Sequence, residues 1–470
     1  MRTTRLPGSA DAEAVFTRVF AGHHEDVYWL DGGADTPSYL GTGTPVPLRA
    51  GHVLEDLAAA QAALGQPGPS SGPSSGPATS GSSIDDSCFR LGLVGWLDYE
   101  LRHETVHPHP GVLTTPATSS SPAASFLRTD RAVAVHPDGR VELLTADHVD
   151  AEAFARLVLE RLAQPVDPPS PPVVVDVSRV DSDEGYLANI RAAQEAITDG
   201  LAYVLCLTTE YRVRGLVDPV GVYLALRRRS PTHHGGFLRI GGVSLVSASP
   251  ERFLEVTPSG LVTTRPIKGT RPRGATAGED RRLAAELAAD EKERAENVMI
   301  VDLMRNDLQR VCAVGSVAVP SLWAVESYAQ VHQLVSTVQG RLLPGHSAVD
   351  AIRSCFPAGS MTGAPKQAAM ELLSTFERRP RGRYAGAFGH LGADGRADLA
   401  MTIRSIVVEG DTATIGVGGG ITALSDPARE LAEMELKARA LLEVLGASSG
   451  AGPRDGSGGS TGGGLRVAEG

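Results

Sequence analysis

The hydrophobic and polar positions of this chain change period repeatedly, and each change marks an element. Short apolar runs such as Val27-Tyr28-Trp29-Leu30 predict strands near the N-terminus, and a 3.6-residue pattern predicts a helix over 52–64. Strand-like text returns at 89–99 (FRLGLVGWLDY) and continues through 126–144. From 173 to 446, strands and helices alternate densely without long loops. Helices are predicted over 186–198, 280–310 and 426–445. The second keeps apolar residues at Leu283, Leu287, Val298, Val301, Leu303 and Leu308 with charges between them. The third opens on Asp426-Pro427, a capping residue followed by proline at the first helical position. Strands are predicted over 203–207, 236–249, 331–342, 385–391, 399–409 and 412–417. Alternation in several of them predicts antiparallel sheets with one covered face.

Between these elements lie stretches that cannot bury a core. QPGPSSGPSSGPATSGSS, within 66–84, reads as a flexible surface insertion, and a further Ser/Thr/Pro loop precedes residue 126. The Pro-rich bridge at 164–172 is the best candidate boundary, separating an N-terminal region (1–172) from a second region (173–446). The Gly/Ser-rich tail, 447–470, is expected to be disordered.

Composition narrows the partners. A 470-residue chain with 42% hydrophobic residues is an ordinary globular protein, and nothing in it approaches the roughly 20 apolar residues of a membrane helix. The N-terminus has no apolar core before Asp11 and Glu13, so the expectation is a cytoplasmic protein. A net charge of −11 argues against nucleic acid as the main partner. Cys88, Cys206, Cys312 and Cys355 are scattered without C-x-x-C spacing, which suggests neither a zinc cage nor a redox dithiol. Arginine so outnumbers lysine that the four lysines, Lys268, Lys292, Lys366 and Lys437, stand out.

Lys268 lies in TRPIKGTRPRG (264–274). A lysine amine is a nucleophile only when its charge is suppressed, and Arg265, Arg271 and Arg273 would supply neighbouring positive charge; a surface basic loop has the same composition. SPERF (249–253) follows a predicted strand and offers Glu251, a candidate general acid if enclosed and otherwise part of a turn. Glu293 and Glu296 share one helical face, as do Glu430 and Glu433. Such pairs are commonly solvated, but converging they could hold a hard cation such as Mg²⁺. The glycine-rich turns PAGSMTGAPK (357–366) and Gly418-Gly419-Gly420 could cradle a carboxylate with backbone amides, and neither completes a nucleotide-binding pattern. His107, His109, His233 and His234 have no metal spacing, and no G-x-S-x-G elbow is present.

In order along the chain, SASPERF, TRPIKGTRPRG, ERAENVMIVDLMRNDLQRV, VHQLVSTVQG, CFPAGSMTGAPK, YAGAFGHLG, MTIRSI and GVGGGITALSDPARELAEMELKARAL resemble the chorismate-utilising enzymes. The resemblance covers nearly all of 180–446 and is closest to the aminodeoxychorismate synthase component I group, with anthranilate synthase component I as the same-fold alternative. It implies an α+β fold of two large packed antiparallel sheets with outer helices, to which the N-terminal half also contributes strands. It implies that Lys268 attacks C2 of chorismate as the C4 hydroxyl leaves, with Glu251 as general acid, before ammonia displaces the lysine and yields 4-amino-4-deoxychorismate. Relatives that form anthranilate, isochorismate or salicylate carry alanine at the position of Lys268. The resemblance further implies substrate contacts at Thr270, His332, Tyr384, Arg404, Gly419 and Gly420, and Mg²⁺ on Glu293, Glu296, Glu430 and Glu433, with Lys437 near the metal. Isochorismate-type members place a water-activating lysine where this chain has Val204. No cysteine here has the Gly-flanked setting of a class I glutaminase, which implies a separate glutamine amidotransferase subunit as ammonia source.

Overall fold

A computed structural model describes residues 1–64, 89–106 and 121–447. The Ser/Gly/Pro insertion, Cys88, His107, His109 and the tail beyond 447 lie outside them. The fold is α+β, and its described strands fall into two antiparallel sheets. The first has twelve strands and is built around Val204–Leu216, which pairs with Thr412–Ile421. The second has ten and is built around Val331–Arg341, whose neighbours include Ile267–Pro272 and Leu261–Thr264. Both halves of the sequence supply strands to both sheets: Val27–Asp31 joins the first and Gly92–Leu97 the second.

The alternating pattern has a direct outcome in packing. The sheets meet through Tyr28, Leu238 and Leu245 from one and Val94, Trp96 and Phe388 from the other, all buried. Helices Asp183–Thr198, Pro219–Arg229, Lys366–Glu377 and Pro427–Val444 pack on the first sheet. Helices Ala277–Ala289 and Glu291–Gln309 pack on the second.

Several predicted elements divide, each for a local reason. The helix expected over 280–310 is two helices, because Asp290 leaves helical geometry (ψ 111°) and its carboxylate caps the second by accepting from the Glu293 amide. The strand expected over 236–249 is a hairpin, His234–Ile240 and Val243–Ser249, turned by Gly241 and Gly242 with φ of 59° and 82°. The strand expected over 399–409 belongs to both sheets: Ala397–Met401 lies in the second and Ser405–Glu409 in the first. Arg404, at φ 48°, sits in the corner between them. The triple glycine, expected as a turn after a strand, lies within Thr412–Ile421, where Gly418, Gly419 and Gly420 oppose Thr208, Leu207 and Cys206.

One buried ion pair ties the sheets together behind these corners. Arg381 donates to both carboxylate oxygens of Glu377 (2.8 and 2.7 Å) and to the carbonyls of Met361 and Cys206 (2.7 and 2.8 Å). Its guanidinium stacks 4.4 Å over the ring of Tyr99, just beyond the second sheet's strand Gly92–Leu97. Glu377 also accepts from the amide and hydroxyl of Thr208 in the first sheet. With every polar group engaged, removing one partner strands the other charge in the interior. Arg381→Met should cost about 3–5 kcal/mol in urea unfolding, whereas Glu377→Met/Arg381→Met should regain much of that loss. Equal losses in the single and double variants would show that packing, not the stranded charge, sets the cost.

Candidate active site

Two strands of the first sheet continue side by side into the second. Val243–Ser249 crosses at Pro250-Glu251 into Arg252–Val256, and its neighbour Ala397–Met401 crosses back through 402–404 into Ser405–Glu409. Pairing bridges the step: the Met401 amide donates to the Glu251 carbonyl and the Ala248 amide to the Arg404 carbonyl. Strands that change sheets leave space at the corner. Here that space is a cavity of about 660 Å³, lined by Glu251, Lys268, Thr270, Tyr384, Arg404, Gly419, Gly420, Glu293, Glu296, Glu430 and Glu433. That size suits a small organic ligand.

His332 does not join them. It is buried, with one ring nitrogen 2.7 Å from the Ser327 hydroxyl of the neighbouring strand Ala318–Ser327 and the other 2.9 Å from Asp280 on helix Ala277–Ala289, so both ring positions are occupied within the protein.

Local folding explains how the others arrive. Gly269, at φ 79°, is a bulge in the edge strand, so Lys268, Gly269 and Thr270 all face the cavity. A Cβ at Gly416 would stand 2.1 Å from the ring of Tyr384, so that glycine makes the seat of the tyrosine. Beyond Thr414, among the described residues, no strand covers the second edge of Thr412–Ile421, and Gly419 and Gly420 open there onto the cavity. A Cβ at Gly420 would lie 3.5 Å from Lys268 Nζ and 3.6 Å from Val204, which is buried beside the amine.

Charges alternate across the floor. Lys268 Nζ is 3.9 Å from Glu296, and Lys292 Nζ lies between Glu296 (3.7 Å) and Glu430 (3.5 Å). Lys437 bonds Glu433 at 2.9 Å and the Gly418 carbonyl at 3.0 Å. Burial opposes the charge on Lys292, but Glu296, Glu430, Glu433 and Glu293 outweigh it and raise its pKa. Burial raises the pKa of Glu293, reinforced by Glu296 and Asp290. Sequence reasoning gave Lys292 no role, although its i,i+4 spacing to Glu296 was a usable signal.

The expected cationic surroundings of Lys268 are a different matter. Arg265 pairs with Glu326, Arg271 with Asp290 and Arg273 with Asp280, so each arginine near the lysine is already neutralised by a carboxylate. Arg404 differs: its side chain lines the cavity and makes no ion pair among the described residues. An unpaired guanidinium there suits a ligand carboxylate.

Among the described residues, no three His, Cys, Asp or Glu side chains gather closely enough to hold a metal ion. The donor set is nonetheless all carboxylate, and Glu296 and Glu430 already share one cation, the Lys292 ammonium. Oxygen donors of this kind are the ligand chemistry of a hard divalent ion, although the side chains as placed surround an ammonium and not a metal-sized space.

The chain matches the family of chorismate binding enzymes over residues 32–443. It is 43% identical over 374 residues to the aminodeoxychorismate synthase of Streptomyces pristinaespiralis, covering 76% of this chain and 51% of that protein. It is 45% identical over 262 residues to anthranilate synthase component 1 of Methanothermobacter thermautotrophicus, covering 55% and 56% of the two chains. The crystal structure of anthranilate synthase component I from Streptococcus pneumoniae superposes with a TM-score of 0.71 at 26% identity, covering 94% of this chain and 99% of that one. The chain thus spans about half the length of the aminodeoxychorismate synthase it matches.

Glu251 is buried, and burial pushes its carboxyl up to about 7 from 4.5, offset in part by Ser360, Lys268 and the Ile267 backbone. Below 4.5 both folded and unfolded chains hold this proton. As pH rises the unfolded chain releases it first, so stability falls until the folded group also ionises near 7, a loss of about 3 kcal/mol. Glu251→Gln should abolish that slope in urea unfolding between pH 4.5 and 7; profiles of the same shape for both proteins would place the group elsewhere.

Proposed function

The chain belongs to the chorismate binding enzymes, and on that premise we propose that it converts chorismate and ammonia to 4-amino-4-deoxychorismate, as an aminodeoxychorismate synthase component I. The observation that carries this reading is one cavity holding both a lysine amine and a buried carboxyl raised to about 7, Lys268 and Glu251. The first step forms a bond from Lys268 Nζ to C2, shifts the ring π electrons and breaks C4–O. The Glu251 proton leaves with that oxygen as water. Ammonia then forms a bond to C4, the electrons return, the C2–N bond breaks to release the lysine as its neutral amine, and the proton shed by the added nitrogen restores Glu251. Splitting one displacement into two lowers each barrier.

Other residues have positioning roles in this proposal. Arg404 would hold one substrate carboxylate, while Thr270, Tyr384 and the open edge at Gly419 and Gly420 would shape the ring site. Magnesium bound by Glu293, Glu296, Glu430 and Glu433 would supply positive charge opposite a second carboxylate. Val204 offers no base beside the amine, which disfavours activation of water in place of ammonia. A glutamine amidotransferase subunit is the proposed ammonia source. The described cysteines, Cys206, Cys312 and Cys355, are all buried, and burial raises each thiol pKa, leaving none suited to attack glutamine.

Incubation with chorismate, Mg²⁺ and an ammonium salt should yield aminodeoxychorismate by mass analysis. Lys268→Ala should lose at least roughly a thousandfold in rate, with no covalent adduct in intact-protein mass. Above pH 7 the rate should fall by about a decade per unit as Glu251 ionises, a limb absent in Glu251→Gln. Anthranilate, which requires loss of pyruvate, or isochorismate as sole product would overturn the assignment.

A further inference from the structure

The paired crossover that makes the catalytic cavity occurs a second time. Ser38–Thr42 of the first sheet passes through Gly43 into Thr44–Pro45 of the second. Its neighbour Ala124–Thr129 crosses back through Asp130 into Arg131–Val135. The two segments pair in both sheets, Thr44 with Arg128 and Gly41 with Ala132, as the catalytic pair does. Gly43 makes the corner possible, since a Cβ there would stand 2.6 Å from the Arg128 carbonyl.

This corner also opens into a cleft, of about 570 Å³. One wall is apolar, with Val19 and Phe20 from the wide π-helical turn Phe16–Ala21 and Phe154 and Leu157 from helix Ala151–Leu162. The other carries Arg128, Arg131 and Arg161 against a single carboxylate, Asp130. Asp130 is taken by Arg131 (2.9 Å) and faces His148 (3.3 Å). Arg161 donates to the Val19 carbonyl at 2.7 Å and lies 3.3 Å from His24, with no ion pair among the described residues; burial lowers its pKa, opposed in part by the charge of Glu160. Arg128 has no ion pair or side-chain hydrogen bond among the described residues. Two guanidinium groups thus line one cavity without an ion pair among the described residues, in a protein whose net charge is −11. Guanidinium forks match carboxylates and phosphates, and the apolar wall accepts a hydrocarbon body.

We infer that this second crossover is a binding site for a small organic anion, its carboxylate or phosphate head on Arg128 and Arg161 and its apolar body against Phe20 and Phe154. Titration calorimetry of the full chain with benzoate, phenyl phosphate and neutral benzamide tests it. At least one anion should bind saturably, and the tighter identifies the head group, while benzamide should not bind. Arg128→Gln, whose side chain supports nothing else in the fold, should weaken the anion by roughly tenfold, as should Arg161→Met. Arg404→Gln, in the catalytic cavity, should leave this affinity unchanged. Binding of benzamide as tight as benzoate, or anion affinity lost in Arg404→Gln and kept in Arg128→Gln, would overturn the site.

Discussion

The architecture depends on strands that change sheets in pairs. A lone strand leaving a sheet strands its backbone groups, but two antiparallel neighbours leaving together keep part of their pairing through the corner. The bonds from Met401 to Glu251 and from Ala248 to Arg404 are that pairing. A corner cannot be filled as a flat sheet face is, because the two layers diverge from it. The residues there are therefore enclosed by protein on several sides yet open on one. That setting desolvates a side chain while leaving a ligand a way in, which is the condition that lifts the Glu251 carboxyl to about 7.

The corner is maintained from behind by charge. Arg381 and Glu377 satisfy the Cys206 carbonyl and Thr208 amide, on the stretch of strand Val204–Leu216 that lies between its two short partners Gly363–Ala364 and Val173–Arg179, and the Met361 carbonyl. In front, Lys268 and Lys292 face Glu296 and Glu430 at 3.5–3.9 Å, looser than ordinary hydrogen bonds, while Lys437 bonds Glu433 at 2.9 Å. Back and front differ in a useful way. A fully bonded pair is rigid, whereas loosely spaced charges can exchange one partner for another when a ligand arrives.

Much of this was legible in the sequence. Helix Pro427–Val444 carries its own start signal, and the spacing of Glu293 with Glu296 and of Glu430 with Glu433 fixes shared faces whatever the tertiary context. The gathering of Lys268, Glu251 and the four glutamates about one cavity came through the ordered motifs, since periodicity alone cannot say which faces converge. What stayed hidden was long-range. Leu399–Glu409 reads as one strand because apolar residues run through the segments in both sheets, and the left-handed Arg404 marks the change of layer. The arginines beside Lys268 looked like a source of positive field. Their partners Glu326, Asp290 and Asp280 lie 61, 19 and 7 positions away, out of reach of any local reading. His332 sits within a matching motif, yet Ser327 and Asp280 claim both its nitrogens.

The two crossovers separate what the sheets contribute from what decides chemistry. Each corner supplies an enclosed space, but their charges differ: five glutamates in one, one carboxylate among three arginines in the other. In the cavity around Lys268 four of the glutamates come from helices Glu291–Gln309 and Pro427–Val444, not from the crossing strands. In the second cleft Arg161 comes from helix Ala151–Leu162, and Arg128 and Arg131 flank the corner itself. Residues facing the corner can thus change without altering the strand pairing that makes it. This is why a fold shared with an anthranilate synthase component I at 26% identity does not by itself fix a reaction. Lys268 illustrates the division, since the bulge at Gly269 presents a side chain to the cavity while the flanking residues keep their pairing with Val331–Arg341.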